Sequence, residues 1–245
     1  MKKQLIAALM LALTSSLATA AGTVQVYSPP GAQPKTLTGA EHLIDLVGQP
    51  ALANSWWPGA VISERQATAV AQQQHQALLA RLAVAASEEG GDDGAAINAL
   101  RQQLQNLSVT GRQLINLDPD RVRVSSSGNP PLQGEYSLWA GPRPSTVTVM
   151  GLVSQPGKKA FTPGRDVASY LEGNSLLSGA DRSYAWVIYP DGRAQKVPVA
   201  YWNHRHVEPM PGSTIFVGLD GSLWRRTPDE LNADVVHSLT QRIPE

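Results

Sequence analysis

The chain has 245 residues, with 20 lysines and arginines balanced by 20 aspartates and glutamates, and no cysteine. A protein without net positive charge attracts phosphate groups only weakly, so this balance argues against nucleic acid and anionic lipid as partners. The lack of cysteine excludes disulfide bonds and a lipid attached to a cysteine. The length suits one large or two small domains, since domains commonly contain about 100 to 150 residues.

The beginning of the chain has the pattern of a secretory signal peptide. Lys2 and Lys3 form a basic start, residues 5–13 form an apolar run, and residues 18–20 (Ala-Thr-Ala) supply the small side chains that signal peptidase needs. We expect cleavage after Ala20 and a mature protein in the periplasm. The apolar run is shorter than the ~20 residues of a membrane-spanning helix, and no later stretch is long and uncharged enough, so no permanent span is predicted.

A strand, a helix and a closing strand follow one another in the first half of the chain. Residues 23–27 alternate like a strand, and residues 37–41 open a helix whose capping box would pair Thr38 with Glu41. Residues 132–139 then contain a turn glycine and a closing strand.

The same pattern occurs again in the second half. Residues 145–149 form the strand, residues 161–166 lead into a helix, and residues 210–217 contain a turn glycine and a closing strand. Two such units in series predict an α+β fold with two domains.

The pattern also predicts where the domains begin and end. The proline-spaced residues 141–144 form a short stiff linker, because proline fixes its own φ and biases the preceding residue to extended geometry. We expect a signal peptide at 1–20, a first domain at 21–141 with a helical hairpin inserted at about 62–108, a second domain at 145–222 and a C-terminal helix at 227–243.

The inserted helical hairpin is the main difference between the two units, because only the first unit contains it. Ser63 and Gln66 would form a capping box at its start. Its second helix has one apolar stripe at helical spacing, formed by Ile97, Leu100, Leu104 and Leu107. The turn at residues 88–94 is acidic, but its spacing is not that of a helix-loop-helix calcium site, so a solvated turn is favoured. A partner-docking arm and a plain insertion are both open interpretations.

The C-terminal helix is amphipathic. Pro228 suits its first position, and Asp229 and Glu230 are favourable in its first turn. Its apolar side recurs at helical spacing in Leu231, Val235, Leu239 and Ile243. Because basic residues do not crowd the polar face, we expect this side to pack on the protein itself rather than in a membrane.

Common catalytic motifs are missing: the sequence has no G-x-S-x-G elbow, H-E-x-x-H helix, phosphate loop or G-x-G-x-x-G turn. We therefore predict no catalytic residue, no cofactor and no metal site. His204 and His206 would share one side of a strand, a spacing that some metal sites use, but a solvated or core-edge pair is favoured. Asp118, Asp120 and Asp181 could serve as glycosidase carboxylates, although Asp-Pro-Asp is first a turn.

Trp57 and Arg112 are the candidate binding residues. Trp56 and Trp57 are adjacent, and on a strand they would point to opposite faces, so one indole is expected in the core and one at the surface, where it could stack on a sugar ring. Arg112 follows Gly111 where the chain leaves the hairpin. Its guanidinium could bind the carboxylate of an acidic sugar or brace local carbonyls, and on chemistry alone bracing is favoured.

Several segments together resemble the GfcC family of capsule biosynthesis proteins and its exopolysaccharide-operon members. They are residues 37–44, residues 54–60 with the tandem tryptophans, the Gly111-Arg112 pair, and the Thr-Val-Thr-Val-Met-Gly and Gln-Pro-Gly segments within 146–157. The similarity covers nearly the whole chain. It implies two β-grasp domains, similar to periplasmic domains of the outer-membrane polysaccharide export channel, with a hairpin in the first and a C-terminal amphipathic helix. Residues 153–164 are similar to the soluble ligand-binding β-grasp (SLBB) motif.

The resemblance also implies a function. It indicates a non-enzymatic periplasmic accessory protein in exopolysaccharide or capsule biosynthesis or export, with a surface polysaccharide or other secretion proteins as partners. In the family an arginine that follows a glycine after the hairpin lines a cleft, and Arg112 is the matching position. Catalytic residues and cofactors are not implied. Three hypotheses stay open: a binding or docking module, a polysaccharide-modifying enzyme, and a structural spacer of the secretion machinery.

Overall fold

A computed structural model describes residues 22–221 and 228–244. The predicted signal peptide lies outside the described residues. The elements follow in the order β1 (Gly22–Tyr27), β2 (Lys35–Ala40), α1 (Leu43–Val47), β3 (Val61–Glu64), α2 (Arg65–Glu89), α3 (Gly91–Gln105), α4 (Pro119–Val124), β4 (Glu135–Trp139), β5 (Thr146–Gly151), β6 (Gly157–Ala160), α5 (Val167–Leu171), β7 (Tyr184–Ile188), β8 (Ala194–Pro198), β9 (Thr214–Val217) and α6 (Pro228–Thr240).

Two separate sheets form the framework and share the same order of four strands, to which the second sheet adds β8 at its edge. Their strand orders are β2-β1-β4-β3 and β6-β5-β9-β7-β8. In each sheet the opening strand pairs antiparallel with the next strand and parallel with the closing strand. A parallel pair requires a crossover connection, which is what the repeated strand-helix-strand pattern predicted. The prediction of an α+β fold with two β-grasp-like units in tandem is confirmed.

The first helix begins later than the sequence pattern predicted. The segment around Thr38 pairs with β1 as strand β2, and α1 starts after His42. The Asp45 carboxylate accepts hydrogen bonds from the backbone N–H groups of Glu41 at 3.1 Å and His42 at 2.9 Å. The predicted capping box of Thr38 and Glu41 is therefore wrong, because Asp45 caps this helix from inside its first turn.

Most of the buried apolar residues of the inserted hairpin, α2 and α3, belong to the core of the second sheet rather than to that of the first. The apolar stripe of α3 is buried in one cluster with the second sheet and α6, as seen for Ile97, Leu100 and Leu104. Gln103 fastens α3 to β5, since its side chain donates to the carbonyl of Gly151 at 2.9 Å and accepts from its N–H at 2.8 Å. An element inserted into the first unit thus completes the core of the second.

The ends of the hairpin helices differ from the prediction in two places. Ser63 is buried in β3 opposite Ser137, so it cannot cap α2, which follows Glu64. The predicted capping box of Ser63 and Gln66 is wrong, because the strand continues to the first residue of the helix. Gly90 alone separates α2 from α3, so the predicted acidic turn at 88–94 is mostly helical.

The C-terminal helix α6 packs beside α2 with its apolar side inward, as predicted. Val235 and Leu239 are fully buried, and the helix ends at Thr240, three residues before the predicted end. On α2, the buried His75 places Nδ1 2.7 Å from the Ser238 hydroxyl of α6, and its burial lowers its pKa. None of the described helices has the length and apolar character that a membrane crossing needs.

Candidate functional site

Gly111 and Arg112 lie where the chain leaves the hairpin and returns to the first sheet. The N–H of Gly111 donates to the Thr68 hydroxyl at 3.1 Å. A Cβ at Gly111 would lie 2.1 Å from the backbone carbonyl carbon of Ala67, far inside van der Waals contact. Only glycine therefore lets the chain pass so close to the start of α2, and this close passage positions Arg112.

The side chain of Arg112 is only 8% exposed. Its guanidinium donates to the backbone carbonyls of Thr240 at 3.3 Å, of Ala60 at 3.5 Å, and of Pro190. These carbonyls belong to the end of α6, to the segment before β3 and to the turn between β7 and β8. Arg112 therefore links the C-terminal helix and both units. Of the two roles considered from the sequence, this arrangement matches the bracing of backbone carbonyls.

The charge of Arg112 survives this burial. Loss of solvent lowers the pKa of Arg112 from its ordinary value to about 10, while the nearby carboxylate of Asp191 opposes the shift. The guanidinium is consequently protonated at neutral pH, and its donors are directed mainly at carbonyls. A buried cation in this position is costly to leave unpaired, so its three carbonyl partners are part of the fold.

A cleft of about 520 Å³ opens beside Arg112, between the first unit and the β7–β8 turn. We call it the junction cleft. The two residues singled out from the sequence meet there, since Trp57 and Arg112 both line it. Its remaining polar and charged walls include Asn116, Asp118, Arg121, Asp191 and Arg193.

The tandem tryptophans do not lie on a strand. Trp57 begins a 3₁₀-helix, Trp57–Gly59, with Pro58 at its second position, and proline is incompatible with an interior strand position. Trp57 packs against the hydrophobic core of the first unit, which we call the first core, and lines the junction cleft. Trp56 instead packs over Gly59 and lines a separate cavity of about 120 Å³. The predicted strand is wrong, and both indoles are half-buried rather than one in the core and one outside.

Arginines outnumber aspartates among the charged residues that line the junction cleft. Arg121 on α4 is exposed, and so is Arg193, whose Nε lies 2.7 Å from Asp191 Oδ2. Asp118 is engaged as the cap of α4, because its carboxylate accepts the N–H of Asp120 at 3.0 Å. Three arginines face two aspartates in this lining, an arrangement that suits a carboxylate ligand.

The other candidate carboxylates lie elsewhere. Asp181 accepts the N–H groups of Ser183 at 2.8 Å and Tyr184 at 3.0 Å, so it stabilises a turn of the second unit. Asp120 is exposed and pairs with Arg123 at 3.5 Å. Of the three aspartates considered as glycosidase groups, only Asp118 lines the junction cleft.

His204 and His206 lie in a loop, so the predicted strand is wrong. His204 Nε2 lies 2.5 Å from Asp166 Oδ2, and His206 Nε2 lies 3.1 Å from Glu208 Oε1. Asp166 also caps α5 by accepting the N–H of Ser169 at 2.9 Å. Each imidazole thus has a carboxylate partner. Within the described ranges, no three histidine or acidic side chains are grouped to hold a metal ion.

Sequence reasoning missed the contribution of the second unit to the cleft. Asp191 lies in a Pro-Asp-Gly segment that is recognisable as a hairpin turn, and Arg193 directly follows it. Nothing local indicates that this turn approaches Arg112. In the structure Gly192 has a φ of +89° and fits against Arg112 and Leu114, where a Cβ would come within 2.9 Å. The turn therefore depends on glycine both for its backbone conformation and for its contact.

Comparison with known proteins agrees with this architecture. The model described as capsule biosynthesis GfcC, N-terminal, matches residues 20–143, and the one described as capsule biosynthesis GfcC C-terminal matches residues 155–244. The chain is also 70% identical to an uncharacterized protein YjbG of Escherichia coli (strain K12), over the full length of both chains. The resemblance inferred from sequence is confirmed. The chain belongs to the GfcC family of capsule biosynthesis proteins, which gives it a role in making capsule or exopolysaccharide.

Proposed function

We propose that this protein is a periplasmic accessory protein that binds an acidic surface polysaccharide in the junction cleft without cleaving it. The observation that carries the proposal is the meeting of Trp57 with Arg121 and Arg193 in one cleft of about 520 Å³. The family role in capsule or exopolysaccharide biosynthesis supplies the class of ligand. The signal-peptide pattern of residues 1–20 supports the periplasmic location.

The chemistry of the cleft supports an anionic sugar. An indole face offers a flat apolar surface to the C–H groups of a sugar ring, and Trp57 is fixed by its packing on the first core. Exposed guanidinium groups hydrogen-bond carboxylates with two parallel donors, which suits uronic acids and acidic substituents. In this proposal Arg121 contacts the ligand, and Arg193, whose Nε is paired with Asp191, adds its two terminal nitrogens.

Arg112 has a different part in the proposal. Its donors are directed at the carbonyls of Ala60, Pro190 and Thr240, so it is a positioning residue that holds the cleft walls at a fixed separation. Ligand affinity then depends on Arg112 through the shape of the cleft. Removing Arg112 would weaken binding together with stability, whereas removing Arg121 would weaken binding alone.

A polysaccharide-modifying enzyme is the second candidate, because Asp118 and Asp191 both line the junction cleft. A glycosidase needs two carboxyl groups on either side of the glycosidic bond. Asp118 is engaged in capping α4, and Asp191 is paired with Arg193. These engagements favour the binding function over turnover.

The test is a calorimetric titration with the acidic polysaccharide purified from the producing cells, together with chromatography of the polymer before and after incubation. We expect saturable binding that Arg121→Ala weakens about tenfold, the equivalent of one charge-assisted contact. Arg123→Ala is the matched control, since this arginine lies on the same helix and pairs with Asp120 outside the cleft. Equal affinity of wild type and Arg121→Ala would contradict the proposed site, and shortened polymer would establish the enzyme instead.

A further inference from the structure

The large exposed aromatic side chains of the described chain lie close together. Tyr201 is 100% exposed, Trp202 is 73% exposed and Tyr184 is 39% exposed. Tyr184 opens β7 opposite Pro198 of β8, and Tyr201 and Trp202 follow β8 within a few residues. We call this group of three the aromatic edge. In the described ranges, the other large hydrophobic side chains that are exposed are all aliphatic and lie in other elements.

The turn that carries Tyr201 and Trp202 is held by specific hydrogen bonds. The Asn203 side chain accepts from the N–H of Ala200 at 3.0 Å and donates to the carbonyl of Ser183 at 3.2 Å, while its own N–H donates to the carbonyl of Ala200 at 3.1 Å. These bonds tie the turn to the residue before Tyr184. The two aromatic side chains therefore project into solvent from an ordered turn, which lowers the entropy cost of binding a ligand there.

Cationic groups border the aromatic edge. Lys196 Nζ lies 4.9 Å from the centre of the Tyr184 ring and 5.9 Å from that of Trp186. Arg182 and Arg205 are exposed on either side in the sequence. The charge opposing them is Asp181, whose carboxylate is 3.9 Å from Lys196 and mostly buried. A lysine against the Tyr184 ring, with arginines near the aromatic residues in sequence, matches a ligand with apolar ring faces and negative charges.

From these features we infer that the aromatic edge is a second carbohydrate-binding site, which contacts the same acidic polysaccharide as the junction cleft. This inference rests on the proposed function for the identity of the ligand. Exposed aromatic rings with neighbouring cations complement a ligand that has flat apolar ring faces and negative charges, and the family role in capsule or exopolysaccharide biosynthesis makes an acidic sugar chain that ligand. Here the exposed side chains are tyrosine and tryptophan, which combine a flat apolar face with a polar group.

The position of the aromatic edge suits a long polymer. The junction cleft lies at the turn between β7 and β8, whereas the aromatic edge lies at the other end of the same two strands. β7 has five residues, from Tyr184 to Ile188, and spans about 15 Å along the sheet from the aromatic edge towards the cleft. One extended polysaccharide chain can therefore contact both sites, and the second contact would raise its apparent affinity.

The test is a calorimetric titration of the full protein with the acidic polysaccharide purified from the producing cells, with dextran as the neutral comparison. Trp202→Ala and Tyr201→Ala are each expected to weaken binding about fivefold, the size of one aromatic stacking contact. Trp202→Phe should retain most of the affinity, because it keeps an aromatic face. Val70→Ala removes an exposed side chain from α2 and is the matched control. Unchanged melting temperatures would establish that each variant is folded.

The variants separate this inference from the proposed function. Wild-type affinity in Trp202→Ala and Tyr201→Ala, with loss in Arg121→Ala, would overturn the aromatic edge and leave the junction cleft. The reverse pattern would support the aromatic edge and overturn the cleft. A wild-type protein that binds dextran as tightly as the acidic polysaccharide would overturn the assigned ligand class, and one that binds neither would overturn both sites.

Discussion

Replacing Arg112 with alanine is expected to destabilise the fold by about 3 kcal/mol. A hydrogen bond to a charged group contributes about 1.5 to 3 kcal/mol. The bonds to Pro190 and Thr240 count most, because the contact with Ala60 is long at 3.5 Å. The cost of burying the guanidinium offsets part of this gain, which leaves about 3 kcal/mol for a pair of bonds. For a protein of this size that loss corresponds to a fall in Tm of about 6 to 12 °C.

Urea unfolding followed by tryptophan fluorescence measures this change. Arg112→Lys should show an intermediate loss, since one ammonium keeps the charge but cannot reach three carbonyls in different directions. Arg121→Ala is the control for the cleft, because its side chain is exposed and its loss should change the unfolding free energy by less than about 0.5 kcal/mol. A similarly small change for Arg112→Ala would refute the bracing role.

Three further predictions concern the packing around the site. Gly111→Ala should lower the free energy of unfolding in urea by about 2 kcal/mol, because the added Cβ would meet the backbone of α2. In the control Gly221→Ala, the nearest atom lies 3.7 Å from the added Cβ. Equal stability of the two variants would contradict this close approach. The lowered pKa of His75 means that the folded protein binds fewer protons than the unfolded chain, so stability is complete above the ordinary pKa of 6.5 and falls as the pH drops below it. His75→Gln should flatten this part of a curve of unfolding free energy against pH, and an unaltered curve would assign the acid sensitivity to other groups. Leu100→Ala should lower the free energy of unfolding, measured by thermal unfolding, by about 2 to 5 kcal/mol, since Leu100 is fully buried. Val84 is exposed, so the control Val84→Ala should change the stability little. A small loss for Leu100→Ala would show that the hairpin is not part of the core.

The general architecture was predictable because its signals are local. Alternation in β1 and β5 and the helical stripe of α3 depend on residues close in sequence, and these elements formed as predicted. The helix starts were not predictable from short motifs. Thr38 and Ser63 fit a capping pattern, but both lie in strands, because pairing with β1 and β4 satisfies their backbone groups first.

The candidate site was only half predictable for a related reason. Trp57 and Arg112 were recognisable from residue type and neighbours, and both line the junction cleft. The roles of Asp191 and Arg193 arise from the approach of the β7–β8 turn to Arg112, which is a contact between residues far apart in sequence. The orientation of the tandem tryptophans also depended on tertiary structure, since a 3₁₀-helix replaces the expected strand.

Amide hydrogen exchange with saturating acidic oligosaccharides from the producing cells tests the central claim most directly. Our account predicts slower exchange in the segments that line the junction cleft, residues 113–118 and 191–193, and no change along the opposite edge strand β2. Exchange that is unaltered in both cleft segments, while the oligosaccharide is bound, would contradict the placement of the ligand in this cleft.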